Sequence, residues 1–469
     1  MLRMTREEYM GYHFGMSNVI TLKVPDEVNI LMDRFEVAGK QIYIVGGIVR
    51  DLLLGRPLVD WDFTTDATPD EILSINPESF YDNKYGTVGV KPGDDSRPFE
   101  ITTFRTESGY SNNRHPDEVK WGETLSEDIA RRDLTINSMA LKRAGKNKFE
   151  LIDLYNGHED IKNGLIRAVG DPNKRFEEDA LRMMRAVRIA SQLKFNIEEQ
   201  TFLAIKKNAE KIQNISAERI RDELLKIMAS DYPADGYLIL RSTGLATYVL
   251  PEMEQAFGVD QKSPGRHHIY DVGTHSVESL RFCPSPDPVT RLATLIHDVG
   301  KIKTQRKYPD GRITFYNHEM ESSKIAEKIS ERLRFSNDQK DKFYRLVRWH
   351  QFTVDEHQTD SAIRRFIVNV GKENISDMLA LRTGDRLGGG ARETSWRLEE
   401  YKKRIEEVQV QPFSIPDLKI NGRDVMEVKK VPSGRLVGEY LQILFDEVVE
   451  NKLANEREVL LDRLSAIEL

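Results

Sequence analysis

Gly46-Gly47, Arg50 and the pair Asp60 and Asp62 follow one another in the stretch VGGIVRDLLLGRPLVDWDFTTDATPDEI, Val45 to Ile72. The glycine pair sits between an apolar run, Gln41 to Val45, and a helix-like segment, Ile48 to Leu54. Glycines at such a junction let backbone N–H groups approach a phosphate, and the helix N-terminus favours its negative charge. Arg50, one turn further on, can add a guanidinium to a triphosphate. Asp60 and Asp62 are spaced i, i+2, so on a strand both carboxylates leave the same face. Paired carboxylates hold Mg²⁺, which takes hard oxygen ligands and keeps positions for substrate phosphates. Such ions lower the charge on an attacking 3′-hydroxyl and on a leaving pyrophosphate. A glycine pair alone is usually a tight turn, and a lone Asp-x-Asp a solvated loop. Their succession between strands is far more specific.

Two further blocks carry charge in a pattern. Residues 131 to 140 read RRDLTINSMA, and residues 175 to 190 read RFEEDALRMMRAVRIA. The second has acids first and arginines spaced by three, which predicts a helix start with Asp179 and Arg182 on one face. Cytosine and adenine each present an amino donor beside a ring-nitrogen acceptor, whereas uracil and guanine present the reverse. A carboxylate and a guanidinium side by side would accept C or A and reject G or U. The same helix with no ligand is an amphipathic helix with ion pairs worth roughly 0.3–0.5 kcal/mol each. Glu100, in FEITTFR, is a possible third acidic group beside Asp60 and Asp62.

The elements that position these residues are legible in outline. Gln41–Val45, Asp60–Thr64 and Phe99–Phe104 read as strands, with a helical stretch after Pro69 between the last two. Mixed strands and helices to about residue 170 predict an α/β domain. After Asp171-Pro172 helix-period apolar positions take over, and helices dominate to the end. The expected division is an N-terminal extension at 1–23, a head at 24–172, a helical neck at 173–235, a helical body at 236–395 and a helical tail at 396–469. Thr106 to Pro116 (TESGYSNNRHP) is polar, contains glycine and has no period, so it reads as a mobile loop.

Composition sets the bounds. A chain of 469 residues has room for roughly three or four domains. No apolar run approaches the roughly 18 residues of a membrane span, and no secretory h-region opens the sequence. The single Cys283 excludes an internal disulfide framework or a thiolate cluster. These features predict a cytoplasmic protein. The net charge of −7 gives no global sign of nucleic-acid binding, so phosphate contacts must come from local basic clusters.

On these motifs the chain resembles the polymerase-β type nucleotidyltransferases, and specifically the class II tRNA nucleotidyltransferases (CCA-adding enzymes). The resemblance covers nearly the whole chain from about residue 24. It implies a polymerase-β-like α/β head with a mixed sheet, followed by an all-α neck, body and tail. It further implies that Asp60 and Asp62 hold catalytic Mg²⁺. Gly47, Arg50, Arg132, Asp133, Arg185 and Arg188 would hold triphosphate and sugar, with Asp179 and Arg182 reading the base through the family's EDxxR motif. Residues 218 to 223, ERIRDE, match a block that supports the neck. The implied reaction adds CMP, CMP and AMP from CTP and ATP to the tRNA 3′ end. In this family a loop at the position of Thr106–Pro116 accompanies addition of the final A. Asn112 to Pro116 departs from its more acidic, doubly basic form, which leaves complete CCA addition and A-only addition both open. A poly(A) polymerase is a further alternative.

His275, His297-Asp298 and Asp385 follow the H…HD…D order of the HD superfamily, with His318 and His350 as candidates for a second ion. Imidazole and carboxylate suit a transition metal. That resemblance implies a metal-dependent phosphohydrolase activity, the alternative in which the second half of the chain is the active one.

Overall fold

The computed structural model describes residues 19–83, 87–91, 98–108, 118–122, 124–262, 269–352, 354, 358–393, 395–408, 415–450 and 452–468. The chain divides into two compact units, one of Met1–Tyr232 with Leu238–Val249, the other of Pro233–Tyr237 with Leu250–Leu469.

The first unit is built on an eight-stranded mixed sheet in the order β1-β10-β9-β2-β3-β6-β5-β4. The strands are β1 (Val19–Thr21), β2 (Ile42–Val45), β3 (Asp62–Thr65), β4 (Ser79–Asn83), β5 (Thr87–Val90), β6 (Phe99–Thr103), β9 (Met139–Gly145) and β10 (Lys148–Asp153). β7 (Arg105–Ser108) and β8 (Glu118–Trp121) form a separate antiparallel pair. β2, β3 and β6 are central, and their residues Ile44, Phe63 and Ile101 are almost wholly buried, as strands covered on both faces should be. The helix Asp26–Val37 buries Val28, Leu31, Met32 and Phe35, one face at 3–4-residue spacing.

Three expectations need correcting here. Val19–Thr21, assigned to an N-terminal extension, pairs antiparallel with β10 and completes the sheet. Asp60 is not on β3. That strand starts at Asp62, opposite Val45, the last residue of β2, and Gly46 then turns the chain away, so the β2–β3 ladder ends before it reaches Asp60. The presumed loop Thr106–Pro116 begins as a strand, since Thr106–Ser108 pair with Glu118–Lys120; residues 109–116 lie outside the described residues.

Beyond the sheet the first unit is helical, with Pro172–Glu178, Leu181–Leu193, Glu199–Asn208 and Ala217–Met228 as its main helices. The first two were expected to be continuous. Asp179 instead takes an extended conformation, φ −144° and ψ 106°, and its Oδ1 accepts from the backbone N–H of Leu181 at 3.0 Å. An aspartate side chain competes for backbone donors in this way, ending one helix and starting the next.

The second unit contains helices throughout most of its length, among them Val272–Phe282, Pro288–Ile296, His318–Arg332, Asn337–Trp349 and Ile375–Gly388. Near the C-terminus Gly422–Lys429, Arg435–Val449 and Arg457–Ala466 share a core of Val425, Leu444, Phe445, Leu460 and Leu464. Among the described residues no helix is long and apolar enough to cross a membrane.

Candidate active site

The first unit holds a cavity of about 810 Å³ whose lining reaches from the Gly46-Gly47 turn to the Leu181–Leu193 helix. Its floor is acidic. Asp62 heads β3, and its register partner on the parallel strand β6 is Glu100, so both carboxylates leave the same face. Asp60 lines the same cavity from the preceding loop, so the two aspartates converge although they do not share a strand. Gly46 has φ +82°, a conformation that favours glycine, and a Cβ there would sit 3.3 Å from Asp62 Oδ2 and 3.4 Å from Arg132 Nη1. The glycine therefore makes the turn and admits both charged groups. Burial pushes the Asp62 carboxyl up to about 6, the negative charges of Glu100 and Asp60 add to this, and Arg132 offsets part of it. Three crowded carboxylates, one of them resisting ionisation, fit a divalent cation with oxygen preference.

The walls are basic. Arg50 stands in the Gly47–Leu53 helix, with Nη1 donating to Asn137 Oδ1 at 2.8 Å and Nε to Asp51 Oδ1 at 3.0 Å. Arg131 and Arg132 are both held by Asp128, which is fully buried: Arg131 Nε lies 2.9 Å from Oδ1 and Arg132 Nη2 3.1 Å from Oδ2. Asp133 accepts from the Leu134 backbone N–H at 2.8 Å and from Arg185 Nε at 2.6 Å. Burial alone would raise the Asp133 carboxyl, but the Arg185 guanidinium holds it well below the usual carboxylate range. Arg188 Nε lies 3.1 Å from Oε2 of the buried Glu223. All of these arginines line the cavity with Asp133.

Asp179 and Arg182 also line it, on either side of the helix break rather than on one helical face. Arg182 Nη2 donates to the backbone carbonyl of Arg131 at 3.0 Å, Nη1 to the Arg175 carbonyl at 3.3 Å, and Nη1 also bonds Glu178. Asp179 Oδ2 accepts from Arg219 Nη2 at 2.8 Å. The site residues expected from the sequence, Gly47, Arg50, Asp60, Asp62, Glu100, Arg132, Asp133, Asp179, Arg182, Arg185 and Arg188, thus meet in one cavity. The sequence reading missed Arg131, Asp128 and Arg219. Arg131 adjoins Arg132, and Asp128 stands three and four residues before the two, the helical spacing that would have flagged it; Arg219 stands in the ERIRDE block, read from the sequence only as support for the neck.

The second unit assembles a different cluster. His275 Nε2 lies 3.1 Å from Asp385 Oδ1 and 3.4 Å from Asp298 Oδ2, and His297 Nε2 lies 3.3 Å from Asp298 Oδ2. His318 Nε2 is 3.1 Å and His350 Nε2 3.7 Å from Asp298 Oδ1. The Nδ1 atoms of His297, His318 and His350 each lie within 2.9 Å of a backbone carbonyl three residues earlier, which turns every Nε2 inward. His297 Nε2 is buried between the Asp298 and Asp385 carboxylates with neither in hydrogen-bond geometry, an arrangement that suits a metal ion between them. Close backbone approach builds this cluster. A Cβ on Gly300 would fall 2.2 Å from the His318 carbonyl oxygen, and a Cβ on Gly388 2.4 Å from the Ser279 nitrogen, one turn along the helix from His275.

Comparison with known proteins agrees with the geometry of the first unit. Residues 42–167 match the model of the poly A polymerase head domain, 194–257 that of a probable RNA and SrmB-binding site of polymerase A, and 313–464 that of a putative tRNA nucleotidyltransferase domain 2. A CCA-adding enzyme of Lactobacillus helveticus is 49% identical over 228 residues, 48% of this chain and 56% of that enzyme. One of Ligilactobacillus salivarius is 33% identical over 454 residues, 95% of this chain and 98% of its own. The crystal structure of the Bacillus stearothermophilus CCA-adding enzyme in complex with CTP superposes with a TM-score of 0.66 at 26% identity, covering 94% of this chain and 96% of that one. With a relative of that identity aligned along almost its entire length, and with the acidic floor and basic walls in place, the chain belongs to the CCA-adding enzyme family.

Proposed function

We propose that this protein adds CMP, CMP and AMP from CTP and ATP to the 3′ end of tRNA and releases pyrophosphate, acting in the cytoplasm. The carrying observation is the meeting of the Asp60, Asp62 and Glu100 carboxylates with the arginine walls and the Asp179–Arg182 pair in one cavity. The carboxylates would hold Mg²⁺, which when bound supplies charge for the nucleophilic hydroxyl and the departing pyrophosphate. Arg50, Arg132, Arg185 and Arg188 hold the triphosphate and sugar against the Gly47 turn, and Asp133, kept ionised, accepts from a ribose hydroxyl. Asp179 accepts from the amino group of cytosine or adenine, and Arg182 donates to the neighbouring ring nitrogen. In this reading 24–172 serve as head, 173–235 as neck, and 236–395 and 396–469 as a body and tail that grip tRNA by shape.

Primer extension tests it on tRNA transcripts ending before CCA, after C and after CC, with each NTP alone and with CTP plus ATP. Growth to a full CCA end that then stops supports the proposal. Addition of A alone to the CC-ended transcript makes the protein an A-adding specialist, and unlimited A addition a poly(A) polymerase. No extension of any transcript in Mg²⁺ removes the transferase reading.

A second activity is supported by the inward-turned histidines. We propose that His275, His297, Asp298 and Asp385, with His318 and His350, hold transition-metal ions for phosphomonoester or 2′,3′-cyclic phosphate hydrolysis. Phosphate release from a model ester by chelated protein reloaded with Mn²⁺, Co²⁺ or Ni²⁺ checks this, and no release with any of them removes it.

A further inference from the structure

The carboxylate of Asp179 faces the cavity and is tied from behind it. Its Oδ2 accepts from Arg219 Nη2 at 2.8 Å and its Oδ1 from the Leu181 backbone N–H at 3.0 Å. Asp179 lines the cavity, whereas Arg219 is not among the lining residues. Arg219 stands on the helix Ala217–Met228, one turn before Glu223, whose carboxylate pairs with the cavity-lining Arg188. One helix outside the cavity thus reaches two side chains within its wall.

The terminal torsion of an aspartate is broad and two-fold, so a carboxylate held at one oxygen turns out of plane at little cost. Tied at both oxygens it keeps one orientation, and each oxygen retains a lone pair for a further donor. An amino group of cytosine or adenine meets that lone pair as a hydrogen bond. The carbonyl oxygen that uracil or guanine presents there meets it as repulsion, and the penalty lasts only while the carboxylate cannot turn away. Arg219 is itself held at a cost, because its Nη1 is buried without a hydrogen-bond partner among the described residues. Neck stability alone gives no reason to keep a half-satisfied guanidinium there, where an apolar side chain would pack without that loss.

We propose that Arg219 is a specificity-determining positioning residue, which through Asp179 fixes the acceptor geometry that separates amino-bearing bases from carbonyl-bearing ones. The inference rests on the base-reading role given to Asp179 above.

The test compares the full-length wild type with Arg219→Gln, Arg219→Met and Arg219→Lys. Two ratios are read: kcat/KM for CTP over UTP on a transcript ending before CCA, and the equilibrium affinity for CTP over UTP without tRNA. The expected result is a loss of about tenfold in both ratios for Arg219→Gln, the scale of one base-reading contact, with partial recovery in Arg219→Lys. Arg219→Met preserves the packing of the stem and carries the test if Arg219→Gln does not fold. In an Asp179→Ala background, Arg219→Gln changes the ratios no further. Wild-type ratios in a folded Arg219→Gln or Arg219→Met protein overturn the inference, as does an undiminished effect of Arg219→Gln in the Asp179→Ala background. Absence of any CTP preference in the wild type overturns the base-reading role first, and this inference with it; loss of the inference alone leaves the wild-type preference intact.

Discussion

Asp62 on β3 and Glu100 on β6 are register partners across a parallel pair of strands, so their carboxylates project together into the cavity that Asp60 also lines. A metal shared by such a set is weakened unequally by removing its members, because Asp62 is half-buried beside the Gly46 turn whereas Glu100 is exposed. Asp62→Asn should lower kcat for CMP incorporation by roughly a hundredfold or more. Glu100→Gln should cost less, and single-turnover rates at saturating CTP measure both. Equal, near-wild-type rates would remove the carboxylates from the reaction.

The raised Asp62 pKa gives a pH signature for the metal-free protein. With a folded value of about 6 against 3.8 for the free group, its contribution to stability is fully present below about 3.8 and is lost as pH rises through about 6. A cation bound to the ionised carboxylate reverses that loss. Mg²⁺ should therefore raise the melting temperature more at pH 7.5 than at pH 5. A scanning-fluorimetry series with and without Mg²⁺ reads the difference, and a metal effect independent of pH would contradict it.

Asp128 compensates two guanidiniums at once while fully buried itself. Asp128→Asn removes this shared counter-charge from both arginines. Urea titration should show a loss on the order of 3 kcal/mol, as for other broken buried pairs. The KM for CTP should also rise, since Arg131 and Arg132 no longer hold fixed positions in the wall. Asp128→Glu should recover part of the KM, which a purely structural loss would not allow.

In the second unit Asp298 lies within 3.7 Å of four histidine Nε2 atoms, from His275, His297, His318 and His350. Asp298→Asn should empty the cluster. Elemental analysis after loading with Mn²⁺ or Co²⁺ and gel filtration should find stoichiometric metal in the wild type and little in the variant. Equal retention would place the metal elsewhere.

What the sequence made legible was local chemistry. The Gly46-Gly47 turn, the strand Gln41–Val45 and the arginine row at Arg182, Arg185 and Arg188 depend on near neighbours, and all stand where spacing put them. Local pattern misleads where a distant partner overrules it. Asp60 left its strand because β2 ends at Val45, and Asp179 left its helix because its carboxylate caps Leu181 and meets Arg219, forty residues on. Glu100 was recognisable only as an acid on a strand; its alignment with Asp62 is a matter of register, which periodicity does not encode. The histidines follow the same rule. Their order was visible, but the backbone approaches at Gly300 and Gly388 that bring them together were not.

Those two approaches also bear on how the second cluster can change over generations. A methyl group at Gly300 or Gly388 would meet backbone atoms, which cannot swing aside as a flexible side chain can. Substitution there separates whole helices and the ligands they carry, instead of trimming one ligand at a time. The cluster therefore has few half-way forms: descendants of this chain keep both glycines and the full ligand set, or lose the site in a single step.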